Sequence, residues 1–235
     1  RVFAPVTPSC VEPAAMDTTP THAPPWWTVQ RSDDRVLATA IHDGHGLRPE
    51  IAAAMALDEA GRLREEDPWT GQAAAAAPTH VTAGRSRFEV DLNRPRDKAL
   101  SSNPEDTWGI RFWRGELPRE ELQASLAVHD RFYAMLTELF DALLERHGSL
   151  LVIDLHSYNH RRDGPDIHAP PDANPDIDLG VTTLDRARWG KAVHAFAEAM
   201  RAAPVAGGAP DVRENVRYPG GGHLDRKSTR LNSSH

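Results

Sequence analysis

Through the middle of the chain, short apolar runs alternate with longer segments whose apolar residues recur every three or four positions. Arg35–His42 (RVLATAIH) is compact and apolar between Asp33-Asp34 and Asp43-Gly44, which predicts a buried strand. Pro49 then suits a helix first turn. Glu50 to Leu63 carries Ile51, Met55, Leu57 and Leu63 among many alanines, predicting a helix. The alanine run Ala73–Ala77 reads as a loop or frayed turn. Arg87–Asn93 alternates apolar and polar positions and predicts a second strand, stopped at Arg94-Pro95. Pro118–His147 predicts a long helix. Leu122, Leu126, Phe132, Tyr133, Leu136, Leu139, Phe140 and Leu143 form its stripe, and Gly148 caps it. Ser149–Leu155 is almost wholly apolar, the pattern of a strand covered on both faces. Leu184–Ala203 predicts another amphipathic helix, closed by Pro204 and Gly207-Gly208. Strands and helices in this order predict an α/β layered fold with a mostly parallel central sheet.

Composition narrows the function classes. The 235 residues are 40% hydrophobic and 26% charged, ordinary values for a globular domain. A net charge of -7 with scattered basic residues argues against a nucleic-acid partner. No run approaches the ~18 apolar residues of a membrane span, so no membrane role is expected. The single cysteine, Cys10, can make neither an internal disulfide nor a thiolate cage, so any metal must rest on carboxylates and the twelve histidines. Six of the 19 prolines fall in residues 1–25, which denies that segment a helix or central strand. Met16 is an alternative start. Residues 226–235 are polar, lack periodicity and look like translated adapter sequence. The folded domain is therefore expected over 26–224, incomplete at its C-terminal side, with residues 1–25 disordered or non-native and 225–235 a non-native tail.

Three polar clusters follow the expected strands, where open α/β sheets bind ligands: His42-Asp-Gly-His45, Asp91-Leu-Asn-Arg94 and Asp154-Leu-His-Ser157. His42 and His156 suit one shared cation, and two histidines, a carboxylate and an open water position make a hydrolytic zinc site. The third ligand is sought in Glu65-Glu66-Asp67, acids unfavourably placed at a helix C-terminus. Glu66 is preferred over Asp67, with His45 the rival by its His42-x-x-His45 spacing. The planar fork of Arg94 and the amide of Asn93 suit a substrate carboxylate. Asp154 shares a strand face with His156 and is expected to orient its ring. His160 and His168, beside the Pro/Asp/Gly-rich stretch Asp163–Asp178, are read as loop residues rather than ligands. Trp26, Trp27, Trp69, Trp108 and Trp113 are read as core or interface before pocket lining.

Five segments together resemble the N-formylglutamate amidohydrolase family over about residues 35–224. They are Ile41–His45, Arg64–Pro68, Ser86–Arg94, Val152–Ser157 and Glu214–Gly221. The Asp-Leu-Asn-Arg and Asp-Leu-His elements are also similar to aspartoacylase and, more distantly, zinc carboxypeptidases, which share a phosphorylase/hydrolase-like α/β architecture. The resemblance implies a cytoplasmic, zinc-dependent enzyme of histidine degradation that releases formate from N-formylglutamate or acts on a related N-acyl amino acid. It implies His42, His156 and an acid of the 65–67 run as Zn2+ ligands. It also implies Asn93, Arg94 and Arg87 as contacts to the substrate carboxylate. Such enzymes use a late glutamate as general base. No Ile-Glu or Leu-Glu segment follows Gly222, so the base is expected to be missing from the fragment, whose own activity is left open. The alternatives are a deacylase of another N-acyl amino acid and a metal-free relative that binds carboxylates.

Overall fold

The computed structural model describes residues 25–226, apart from 101, 102, 104, 108, 162, 163, 165 and 204–207. Expectations for the proline-rich segment before Pro25, for Trp108, for the Pro204–Gly207 helix stop and for the tail from 227 lie outside the described residues.

Four strands form the central sheet: β1 (Trp27–Gln30), β2 (Val36–Ala40), β3 (Thr79–Ala83) and β4 (Leu151–Asp154), in the order β1-β3-β2-β4. β2 runs parallel to β3 and to β4, and β1 lies antiparallel on β3. The fold is therefore mixed α/β with a mostly parallel sheet. Alternation along β2 explains the layers. Leu37 and Ile41 join Val81, Ala83 and the stripe of α4 (Arg119–His147) in one core. Ala38 and Ala40 face Ala74 of α3 (Thr70–Ala74) on the other side. The small alanines let that short helix approach closely, while Phe132, Leu136 and Phe140 fill the α4 side without exposure above 1%. Gly148 takes the left-handed φ of 67° that ends α4, and its N–H reaches Leu144 O. Beyond the sheet, β5 (Ile177–Leu179) and β6 (Val212–Glu214) make a separate parallel pair, with α5 (Arg186–Ala202) against β6.

Several expectations are corrected. Arg87–Asn93 is not a strand but a turn-rich segment. Phe88, Val90 and Leu92 are buried as the alternation suggested, yet Arg85 bonds Glu89 and Arg87 bonds Asp91 four residues on. In a strand those pairs would stand roughly 13 Å apart. The second strand is instead β3, just upstream, and β1 was not anticipated at all. The helix expected over 50–63 is two, α1 (Pro49–Ala54) and α2 (Glu59–Leu63), because Met55 bridges to Trp113 and Asp58 starts a new cap on Gly61 N–H. Part of the alanine run, Ala73-Ala74, is helical in α3. β4 is an end strand of the described sheet with Leu151 39% exposed, so it is not covered on both faces.

Candidate metal centre

The register that pairs Thr39 with Asp154 brings the carboxyl ends of β2 and β4 level. His42 leaves β2 two residues after Ala40 and is buried to 1% exposure. Gly44 is required in the turn that follows: a Cβ there would meet Arg85 N at 2.2 Å, because the backbone after β3 crosses at that point. Asp67 is delivered to the same place by the main chain, its N–H donating to His42 O at 3.0 Å. Asp43 Oδ1 accepts from Gly71 N at 2.9 Å and ties α3 beneath the loop. On β4, Thr39 Oγ1 donates to Asp154 Oδ1 at 2.5 Å and Leu155 N donates to Thr39 O, so His156 emerges beside His42.

His42, Asp67 and His156 each offer one ligand atom, and these atoms all lie within 4.8 Å of one another. The two imidazoles are 4.9 Å apart between ring centroids. Each turns Nδ1 toward Asp67 Oδ2, at 3.4 Å from His42 and 2.8 Å from His156. Each turns Nε2 toward a backing carboxylate, Asp91 Oδ1 at 2.8 Å and Asp154 Oδ2 at 3.0 Å. His42 Nδ1 is buried with no hydrogen-bond partner. An orphaned imidazole nitrogen facing an acid, with the opposite nitrogen held by a carboxylate, is the arrangement of a metal ligand with its orienting partner. The donor set fits a divalent cation.

The placement of the other expected residues is mixed. Glu66 is turned away from the two histidines: it bonds His45 Nδ1 at 2.5 Å, accepts from Ser86 Oγ and pairs with Arg62. The acid that joins the histidines is thus Asp67. Arg62, at the end of α2, supplies the positive charge that offsets these acids, so their crowding at a helix end was no sign of Glu66 as a ligand. His45 lies in the Glu66–Arg62 network, not with His42 and His156. Asp154 stands behind His156, and Asn93 Nδ2 is 3.3 Å from His156 Nε2. Arg87 and Arg94 both bond Asp91 Oδ2, at 2.8 and 3.1 Å, and with Lys98, Phe112 and Trp113 they line a small depression. Asp91 is the residue given no role from sequence. Its i,i+4 and i,i+3 spacing to two arginines was the available signal. His160 and His168 are exposed and outside the cluster. Of the described tryptophans, Trp113 is core, Trp27 packs on Phe132, Trp26 lies under Arg85, and Trp69 is exposed.

Charge in the cluster is set by burial against pairing. Burial alone would raise the Asp67 carboxyl, but the hydrogen bond from His156 and the nearby charge of His42 and His156 hold it well below the usual range. Asp91 is likewise held low against burial, chiefly by the Arg87 charge and then by His42. Burial disfavours charge on His156, yet Asp154 and Asp67 outweigh it and push its pKa up to about 10. Folding thus raises His156 from an unfolded value near ~6.5. Its contribution to the metal-free fold is complete below that pH and is lost as pH rises through about 10. The melting temperature of chelator-treated protein is therefore expected to fall between pH 7 and 10. Protein loaded with a divalent cation, whose binding through His156 would displace that proton, is expected to show no such decline. Calorimetric scans of both forms across that range check this.

The family model described as N-formylglutamate amidohydrolase matches residues 34–234. No curated protein sequence matches significantly. Among solved structures, the N-formylglutamate amidohydrolase from Ralstonia eutropha JMP134 is similar at a TM-score of 0.66 and 18% identity, covering 86% of this chain and 79% of that one. A gene product from Agrobacterium tumefaciens is similar at a TM-score of 0.59 and 20% identity, covering 88% of this chain and 79% of its own. At these identities the structures establish the fold alone. No helix among the described residues is long and apolar enough to cross a membrane. With the match extending over most of its length, the chain belongs to the N-formylglutamate amidohydrolase family.

Proposed function

We propose that this chain is a zinc-dependent hydrolase of a small N-acyl amino acid, with N-formylglutamate as substrate and the cytoplasm as its setting. The observation that carries the reading is the convergence of His42, Asp67 and His156 on one point, with His42 Nδ1 buried and unpartnered. When bound, zinc supplies a water whose pKa lies near ~7 and polarises the scissile amide. Asp91 and Asp154 accept the Nε2 protons of His42 and His156, so that the two Nδ1 atoms, both on the Asp67 side, would be the nitrogens that bind the cation. Asp67, an anion at neutral pH, offsets the cation's charge. Arg94, with Nε on Asp91, and Asn93, beside His156, present a guanidinium fork and an amide donor at the edge of the cluster. Those groups suit a carboxylate of the substrate and would hold its amide near the cation. Arg87 reinforces the same cationic wall.

Formate release from N-formylglutamate, compared with acetate release from N-acetylglutamate, tests the reading on zinc-loaded protein. Release of formate at the higher kcat/KM is expected. Faster acetate release would move the assignment to another acyl group. Glutamate binding without release of either acid, by protein that retains no zinc, would favour the carboxylate-binding alternative.

A further inference from the structure

Leu92, Asn93 and Arg94 belong to no helix or strand, yet Asn93 must stay within reach of His156. Ladder hydrogen bonds do not hold this segment. Instead, three successive carbonyls are held individually. Tyr133 Oη donates to Leu92 O at 2.5 Å, His223 N–H donates to Asn93 O at 3.1 Å, and His129 Nε2 donates to Arg94 O at 2.9 Å. Tyr133 and His129 are one turn apart on α4, 7% and 3% exposed, with ring centroids 4.8 Å apart. The His223 ring meets Tyr133 edge-on at 4.7 Å, so the three anchors form one packed block. Burial keeps His129 below the usual histidine range and Tyr133 above the usual phenol range, so His129 is neutral with its proton on Nε2 and Tyr133 retains its hydroxyl proton. Both are committed donors.

A buried tyrosine or histidine that finds a main-chain acceptor is ordinary core satisfaction. Here the acceptors are consecutive, and two of the three residues that bear them carry the side chains assigned to the substrate. We infer that Tyr133 and His129 are positioning residues, which set the affinity for the substrate carboxylate by fixing the backbone of Asn93 and Arg94. This rests on the substrate reading proposed above. It assigns a role in recognition to α4, a helix that contributes nothing to the metal cluster.

The test is calorimetric titration of the zinc-loaded full chain with L-glutamate and with the uncharged-side analogue L-glutaminamide, which lacks both carboxylates. Tyr133→Phe and His129→Phe keep ring bulk and remove one donor each. Each is expected to weaken glutamate binding about 5- to 10-fold, the effect of one lost hydrogen bond, with glutaminamide binding unchanged. His129→Gln, which restores an N–H near the Nε2 position, is expected to return the glutamate Kd to within about twofold of wild type. Melting temperatures and zinc content, read on the same samples, separate positioning from loss of fold or metal. Unchanged glutamate affinity in both phenylalanine variants, an equal loss for both ligands, or no glutamate binding by wild type would overturn the inference. Wild type that binds glutamate but takes up no zinc would sink the hydrolase reading alone, and the Kd ratios would still decide this one.

Discussion

His156→Ala is expected to strip the cation from the protein and to lower formate release more than ~100-fold, because even residues that merely orient a metal ligand cost 10- to 100-fold when removed. The ring lies 2.8 Å from Asp67 and 3.0 Å from Asp154, so its loss also leaves two carboxylates facing a gap. The variant that discriminates most sharply is at the neighbouring acid. Asp67→Asn is expected to behave like His156→Ala, since an amide has no anionic oxygen to place between the two Nδ1 atoms. Glu66→Gln is expected to retain one zinc per chain, because the Glu66 carboxylate engages His45, Ser86 and Arg62 instead. Its effect should appear in thermal stability. Metal analysis of the three purified variants, with formate assays alongside, checks the pattern. Zinc lost in Glu66→Gln and kept in Asp67→Asn would reverse the assignment.

Asp91→Ala carries the second large effect, and for a different reason. One buried carboxylate accepts from His42 at 2.8 Å, Arg87 at 2.8 Å, Arg94 at 3.1 Å and the Asn93 N–H at 2.9 Å. Removing it leaves two guanidinium groups and an imidazole N–H without their anion in a largely dry setting. Breaking a buried pair in this way costs about 3–5 kcal/mol, far more than an exposed pair is worth. The His42 ring loses the partner that fixes its tautomer, so zinc affinity is expected to fall by roughly 10- to 100-fold as well. Denaturant unfolding and competition with a chelating dye measure the two effects. A variant within ~1 kcal/mol of wild type, with zinc affinity intact, would show that Asp91 does not bind the cluster and the arginines into one unit.

What was legible in the sequence follows from the range of the forces involved. Local periodicity was enough for α4, because a long helix repeats its apolar stripe many times over and ends at a glycine with positive φ. It was enough for β2 and β4, and so for His42 and His156, which simply leave their strands at the same edge of the sheet. It misled at 87–93, where Phe88, Val90 and Leu92 alternate as in a strand but the charged residues between them pair four apart. It could not rank Glu66 against Asp67. Adjacent side chains diverge, and which one meets the histidines is decided by the Asp67 N–H bond to His42 O and by the His45 contact to Glu66, both between segments distant in sequence, with the local Arg62–Glu66 pair added to them. The hold of α4 on residues 92–94 is of the same long-range kind, spanning 41 positions between Tyr133 and Leu92.

The X-ray absorption spectrum at the zinc edge, taken on purified full-length chain, addresses the cluster most directly. Two imidazole nitrogens at ~2.0–2.1 Å with carboxylate and water oxygen at ~2.0–2.2 Å, and no sulfur, is the expected coordination shell. A shell with one imidazole or none, a sulfur ligand from Cys10, or no zinc in the protein would contradict a centre built on His42, Asp67 and His156.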